Sequence, residues 1–240
     1  MRTRSICWAF ALALALLPAA PLVLSAKNPA TPAEAGVMDM DGLLAAYPNN
    51  VRMLLENDHV WVYEVRLAPG ERLGTHRTGD FFLYALTDAK LLMLPNYEPE
   101  LLRLRAGQAR WFGFEPHDVI NRGAKEARYL VVARHSSPLP ATPVEHGCPL
   151  AEVAPAGTAK VLLDNRNGRV TEVMLPAGTE QPRHCGLNRV VYSLNAYEIA
   201  MDGREGAFGA GMTHFHEADN HAVRNIGATP AHYLVFELKR

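Results

Sequence analysis

Short runs of alternating hydrophobic and polar residues, separated by turn residues, recur along most of this sequence. Residues 60–67 alternate towards a Pro-Gly turn, residues 81–86 form an apolar run, and residues 101–105 carry Leu and Arg before another turn. Many short strands at close spacing are typical of a sandwich or a barrel. The pattern therefore predicts an all-β fold.

The strand pattern occurs twice. Residues 51–70 align with residues 159–178 at an offset of 108 residues, and the offset becomes 104 from the pair Gly107 and Gly211 onward. A hairpin loop of variable length between two strands explains the four-residue difference. We conclude that the chain arose by internal duplication, with one copy at residues 48–136 and the other at residues 158–240.

The remaining segments belong to neither copy. Residues 1–26 have a basic start, a short apolar stretch and a small-residue end, which is typical of a secretory signal peptide, with an uncleaved anchor as the alternative. Residues 27–47 form an N-terminal arm that we expect to contain one short helix, capped by Asp39 or Asp41. Residues 137–157 form a Pro-rich linker. The protein is thus expected to be exported to the periplasm or secreted.

The charge balance limits the partners. The 240 residues contain 24 Lys and Arg against 25 Asp and Glu. We expect no nucleic-acid partner, because phosphate binding requires a concentrated basic face. No later segment is long and apolar enough to cross a bilayer, so we expect no membrane contact after signal cleavage. An oxidising compartment would permit Cys148 and Cys185 to form a disulfide, with two free buried thiols as the alternative.

Each copy contains two recurring motifs. The first is a Gly, five intervening residues and then a His, and the second is a Gly followed by a strand that ends in His-x-x-x-Asn. The residues are Gly70, His76, Gly107, His117 and Asn121 in the first copy, and Gly178, His184, Gly211, His221 and Asn225 in the second. These motifs resemble those of the cupin superfamily. The resemblance implies two tandem jelly-roll barrels, a bicupin.

The motifs depart from the superfamily pattern at the metal positions. Metal-binding cupins typically take three His and one Glu from these motifs. The second His position holds Thr78 in the first copy and Gly186 in the second. The Glu position falls on Phe82 or Leu83, and on Val190 or Val191. Each copy therefore keeps two of four ligand-type residues, fewer than stable metal sites usually have.

The second copy has additional histidines that could rebuild a site. His214 and His216 are two residues apart, so on a strand they share a face. We expect a metal site formed by His184, His216 and His221, with His214 or Glu217 adjacent. The cofactor would be one divalent metal, and the sequence leaves Fe, Zn, Ni, Mn and Cu open. The alternative is that His214 and His216 face solvent at the barrel rim.

Two functional hypotheses follow. The leading one is a metal-dependent enzyme of the oxygenase, isomerase or lyase kind, with Glu217 or Asp219 as the base in the second barrel. The other is a non-catalytic binding or scaffold protein that has lost its metal. Both hypotheses imply a small-molecule partner, and a homo-oligomer is a further expectation.

The first copy offers fewer candidate ligands. His76 and His117 could meet in the first barrel, where Trp111 and Phe82 would line an aromatic ligand pocket. The alternative is a packed core with a hydrogen-bonded His pair.

Overall fold

The computed structural model describes residues 36–95, 98–113, 115–135, 137–140 and 159–239. The first copy contains helix α1 (Met40–Ala46) and strands β1 (Val51–Glu56), β2 (Val60–Leu67), β3 (Arg72–His76), β4 (Phe81–Ala85), β5 (Ala89–Pro95), β6 (Glu100–Leu104), β7 (Ala109–Phe112), β8 (His117–Asn121) and β9 (Ala127–Arg134). The second contains β10 (Ala159–Asp164), β11 (Gly168–Leu175), β12 (Glu180–Gly186), β13 (Arg189–Ser193), β14 (Tyr197–Met201), β15 (Arg204–Phe208), β16 (Thr213–His216), β17 (Asp219–Asn225) and β18 (Ala231–Leu238).

The two copies have the same strand order. A five-stranded sheet, β1-β2-β9-β4-β7, and a four-stranded sheet, β3-β8-β5-β6, form the first barrel. The sheets β10-β11-β18-β13-β16 and β12-β17-β14-β15 form the second barrel in the same order. The named strands all pair antiparallel, and the irregularity between Leu73 and His76 recurs between Gln181 and His184. The predicted all-β bicupin with two tandem jelly-roll barrels is confirmed.

The short predicted helix is present. Its N-cap is Asp39, whose carboxylate accepts a hydrogen bond of 2.9 Å from the backbone N–H of Gly42. An N-cap side chain satisfies one of the N–H groups that the first helical turn leaves unpaired. Asp39 rather than Asp41 is therefore the cap.

Alternating side chains divide the five-stranded sheets into an inner and an outer face. On β2, Tyr63 and Val65 belong to the core of the first barrel, whereas Val60 and Val62 belong to a second cluster. That cluster, here called the inter-barrel cluster, combines residues of both five-stranded sheets, with Phe82 and Phe236 at 5.9 Å between ring centroids. The two barrels therefore pack against each other through the outer faces of these sheets.

The motif Asn residues fix the turns that follow the motif strands. Asn225 is fully buried, and its amide donates 2.8 Å hydrogen bonds to the backbone oxygens of Leu175 and Thr229. Asn121 makes the matching bonds in the first barrel. Gly178 and Gly211 open the two motifs of the second barrel with φ angles of 73° and 81°, which favour glycine. The Asn and Gly residues of the motifs are thus needed for the fold itself.

Several sequence predictions fall outside the described residues. They concern the signal peptide at residues 1–26, most of the linker at residues 137–157, and Cys148. Within the described ranges, the only helix is far too short to cross a membrane.

Candidate functional site in the second barrel

The motif strands bring two buried histidines together in each barrel. His184 on β12 lies directly opposite His221 on β17, and their ring centroids are 4.3 Å apart. His76 and His117 form the matching pair in the first barrel at 4.5 Å. Residues directly opposite in an antiparallel pair have neighbouring side chains on one face, so the strand register alone creates these pairs.

Backbone carbonyls orient three of these four imidazoles. His184 Nδ1 lies 2.8 Å from the carbonyl oxygen of Pro182, two residues earlier, and His76 and His117 make the same kind of contact. When Nδ1 donates the hydrogen bond, Nε2 carries the lone pair. Burial lowers the pKa of His184, and burial together with His117 lowers the pKa of His76 to about 4. These imidazoles are therefore neutral near pH 7.

His221 differs because a carboxylate holds its Nδ1. Asp219 Oδ1 lies 2.7 Å from His221 Nδ1 and 2.8 Å from Arg189 Nη1. Burial alone would raise the pKa of Asp219, but the hydrogen bonds from His221 and Arg189 outweigh it and hold the pKa well below its usual range. Asp219, a candidate base, is thus an ionised group that orients its two neighbours.

The structure places the other predicted site residues as follows. His214 and His216 lie on the edge strand β16, half-buried, and line the same cavity as His184 and His221. Burial and the positive charge of Arg189 lower the pKa of His216 to about 4. Glu217 is exposed, and its backbone oxygen, rather than its carboxylate, accepts a bond from Arg189. All four candidate imidazoles therefore surround one cavity, while the Glu217 carboxylate is not part of its lining.

This cavity has a volume of about 180 Å³ and mostly apolar walls. The aliphatic and aromatic lining residues are Val173, Val191, Tyr197, Ile199, Met201, Phe208, Val223, Tyr233 and Val235. An engineered cavity of ~150 Å³ takes up benzene. The space thus suits a molecule about the size of a single ring.

The interior of the first barrel, in contrast, is filled. The two spaces beside His117 have volumes of about 20 and 10 Å³. Tyr63, Leu73 and Leu102 occupy the positions that Thr171, Gln181 and Gly206 have in the second barrel. The register supports these equivalences, because Tyr63 is opposite Val131 just as Thr171 is opposite Val235, and Leu102 is opposite Leu91 just as Gly206 is opposite Ile199. Smaller or polar residues at these positions open the second barrel.

The sequence predicted that Phe82 and Trp111 line an aromatic ligand pocket in the first barrel, but the structure places both residues elsewhere. Phe82 is buried in the inter-barrel cluster, and Trp111 packs against that cluster at 4.6 Å from the Phe82 ring. Adjacent residues on a strand point to opposite faces, so Phe81 rather than Phe82 faces the barrel interior. Phe81 stacks on His117 at 5.4 Å. His76 and His117 accordingly lie in a packed core.

Sequence reasoning missed Arg189, the first residue of β13. Its side chain is buried, and Nη1 lies close to the backbone oxygens of Leu187 and Glu217, both at 3.2 Å. Its Nη2 lies 3.4 Å from both ring nitrogens of His221, which places it against the ring rather than along one lone pair. The sequence feature that could have drawn attention to Arg189 is the 108-residue offset, which aligns Arg189 with Phe81 of the first copy.

The residues present do not fit the metal site of the superfamily. Within the described ranges, no three or more His, Cys, Asp or Glu side chains are arranged to hold a metal ion. The position of the second motif His is Gly186, and a Cβ atom there would lie 2.4 Å from Arg189 Nη1. The guanidinium thus occupies the space beside the motif imidazoles.

Cys185 is buried, with 5% of its surface exposed, and it is disulfide-bonded. Its candidate partner, Cys148, lies outside the described residues. The pairing of Cys148 with Cys185 therefore stays a prediction.

Comparisons with known proteins agree with this architecture. The chain is 40% identical over 79 residues to the beta-alanine degradation protein BauB of Pseudomonas aeruginosa, a match that covers 32% of this chain and 82% of BauB. The crystal structure of AerE from Microcystis aeruginosa superimposes with a TM-score of 0.57 at 15% identity, covering 80% of this chain and 98% of AerE.

A Bacillus subtilis oxalate decarboxylase with Mn(II) centres superimposes with a TM-score of 0.57 at 14% identity, covering 80% of this chain and 76% of the decarboxylase. At such identities the structural likeness shows the fold alone. No protein-family model matches the sequence. Fold, motifs and relatives together define the class: the chain belongs to the cupin superfamily and is a bicupin.

Proposed function

We propose that the second barrel binds a small, largely apolar molecule about the size of a single ring, and that the first barrel is a packed support without a ligand. The observation that carries the proposal is the contrast between the two interiors. One copy of the same fold encloses a cavity of about 180 Å³, whereas the other has spaces of about 20 and 10 Å³ at the matching place. Concave, mostly apolar cavities with a few polar groups are typical ligand sites.

The polar end of the cavity sets the orientation of the ligand. His184 and His216 are neutral near pH 7 because burial lowers the pKa of each imidazole. His184 offers Nε2 as a hydrogen-bond acceptor, since its Nδ1 is bonded to Pro182. A ligand hydroxyl or amine at this end would be recognised by such an acceptor, while the ring or chain of the ligand packs on the apolar walls.

Titration with single-ring probes, with and without a substitution that fills the cavity, tests this proposal. Phenol, benzyl alcohol and aniline, all uncharged near pH 7, are titrated into the full-length protein while the methyl NMR signals of Val173 and Val223 are followed. We expect saturable shifts of these signals. Thr171→Tyr copies the residue that fills the first barrel and should abolish the shifts in a folded protein, because the new ring occupies the cavity.

Thr229→Tyr is the matched control, since Thr229 is exposed on the same barrel and the same side chain is added there. It should bind the probes as the unaltered protein does. If none of the probes shifts these signals, or if Thr171→Tyr binds them equally well, the cavity is not the binding site.

A metal-dependent enzyme of the oxygenase, isomerase or lyase kind is the second candidate. The observation in its favour is that His184, His214, His216 and His221 line one cavity. Elemental analysis of protein purified without chelator tests it. About one Fe, Zn, Ni, Mn or Cu per chain, lost in His216→Ala but kept in His76→Ala, would support this candidate. Protein without metal after reconstitution would reject it.

Export and self-association are separate proposals. The basic and apolar start of the sequence supports removal of residues 1–26 during export. Mass spectrometry of the protein from the exported fraction would show a new N-terminus after residue 26, and an intact N-terminus would contradict this.

Size-exclusion chromatography with light scattering tests whether the protein forms a homo-oligomer.

A further inference from the structure

We propose that the guanidinium of Arg189 takes the place of a divalent metal in the second barrel, so that the cavity is built around a fixed protein cation. The inference rests on the packing around Arg189 at the imidazole end of the cavity. It holds for any molecule that the cavity binds, so it is independent of the ligand proposed above.

The guanidinium of Arg189 lies in the space beside Gly186. A side chain at residue 186 would extend toward His221, because a Cβ built on Gly186 lies 3.0 Å from His221 Cε1. The same Cβ lies 2.4 Å from Arg189 Nη1 and 2.8 Å from Arg189 Cζ. The guanidinium therefore fills the volume into which a third ligand from the first motif would project. The absence of a side chain at Gly186 thus makes room for the guanidinium of Arg189.

The guanidinium is also firmly held. The Arg189 side chain is only 5% exposed, and its Nη atoms contact Asp219 at 2.8 and 3.2 Å. The backbone oxygens of Leu187 and Glu217 accept further hydrogen bonds from Nη1. A buried charge is stable only when it is paired and hydrogen-bonded in this way. Arg189 is thus a fixed, buried part of the site.

The charge of Arg189 opposes a metal ion at the same place. Arginine does not lose its proton in proteins, so Arg189 keeps its positive charge at every relevant pH. Its Nη2 lies 3.4 Å from His221 Nε2 and Nδ1. A divalent ion bound by His221 would lie within a few ångströms of this charge, where like charges repel strongly in a partly buried site. Asp219, the neighbouring carboxylate, is already bonded to Arg189 and His221.

The first barrel has an uncharged side chain at the equivalent place. Its equivalent of Arg189 is Phe81, whose ring stacks on His117 with 20° between the planes. Both residues begin the equivalent strands, and Phe81 is opposite Ala133 just as Arg189 is opposite Glu237. The two copies therefore fill the place beside the motif His pair differently, one with an aromatic ring and the other with a cation.

Removal of the guanidinium tests the inference. Metal-free full-length protein, Arg189→Met and Arg189→Lys are titrated with Co²⁺ at pH 7.5 and followed by visible absorption, with elemental analysis after dialysis. Arg189→Met should bind Co²⁺ more than about tenfold more tightly than the unaltered protein, the lower end of what outer-shell changes do to metal affinity. Arg189→Lys keeps the charge and should stay metal-free.

Three further variants make the result specific. Adding His184→Ala to Arg189→Met should remove the new absorption, and Gly186→His with Arg189→Met should tighten Co²⁺ binding further. Phe81→Met is the matched control in the first barrel and should gain no metal. If Arg189→Met does not fold, as judged by circular dichroism, Arg189→Phe replaces it, because the first barrel accommodates Phe at this position.

Three results would overturn the inference. One is stoichiometric Co²⁺ binding by the unaltered protein that His184→Ala abolishes. Another is a folded Arg189→Met or Arg189→Phe protein with unchanged Co²⁺ affinity. The third is an equal gain of metal in Phe81→Met, which would show that the guanidinium is not the cause.

Discussion

The missing side chain at residue 186 determines what the second barrel can hold. Because Gly186 has no Cβ, the guanidinium of Arg189 can approach His221 and Asp219 from the side of the first motif. One glycine thus decides whether the imidazole pair faces a fixed cation or another side chain.

Gly186→Ala should therefore destabilise the protein by about 1–3 kcal/mol, the usual cost of adding a methyl group to a tightly packed site. The new Cβ would lie 2.4 Å from Arg189 Nη1, so the guanidinium must give up hydrogen bonds. Urea unfolding measures the loss. Gly209→Ala in the same barrel is the control, because the nearest atom there is 3.6 Å away, and an equal loss in both variants would contradict the explanation.

The sequence predicted some of these residues and missed others for a physical reason. His184 and His221 could be predicted to pair because a motif with a fixed strand register carries them. Arg189 could not be placed by pattern alone, since a charged residue at the start of a strand is usually exposed. Phe82 was assigned to the wrong face because an apolar run without alternation does not indicate which residues point inward.

At the level of the strands, one buried carboxylate links three neighbouring strands of the first five-stranded sheet. The Glu64 side chain on β2 is 1% exposed and bonds Arg52 on β1, Arg66 on β2 and Arg128 on β9. Burial raises the pKa of Glu64, but the hydrogen bonds from the three arginines outweigh it and lower the pKa from 4.5 to about 2. The sheet is thus held partly by an ionised group.

This shift predicts a pH dependence of stability. Glu64 binds a proton near pH 4.5 in the unfolded chain and only near pH 2 in the folded protein. Its contribution is therefore fully present above pH 4.5 and is lost as the pH falls to 2. Glu64→Gln should flatten the fall of the urea midpoint across this interval. Parallel curves for the two proteins would show that Glu64 does not carry the effect.

For the whole molecule, the inter-barrel cluster is a hydrophobic core that residues of both barrels share. Phe82 is fully buried in it, and a Cβ built on Gly168 of the second barrel would lie 2.3 Å from Phe82 Cζ. The all-β class, the duplication and the two barrels could be predicted from strand spacing and repeated motifs. Their mutual packing could not, because outer-face residues such as Val62 and Val190 look like ordinary core positions in the sequence.

Phe82→Ala should cost about 3–5 kcal/mol, as for other buried aromatic side chains. Because the cluster is shared, hydrogen exchange should accelerate in strands of both barrels, β4 and β18 alike. Phe112→Ala is the control, since Phe112 packs on the core of the first barrel and should affect that barrel alone. A Phe82→Ala protein with unchanged exchange in β18 would show that the cluster does not couple the two barrels.

The inter-barrel cluster also makes the pairing of the two barrels independent of concentration. Two separate barrels joined through such a surface would dissociate on dilution, since their association would depend on protein concentration. Here both halves are in one polypeptide, so their encounter is intramolecular and its effective concentration is constant. The open barrel therefore keeps its filled neighbour however dilute the protein becomes, and residues such as Arg189 could diverge in one copy without a matching change in the other.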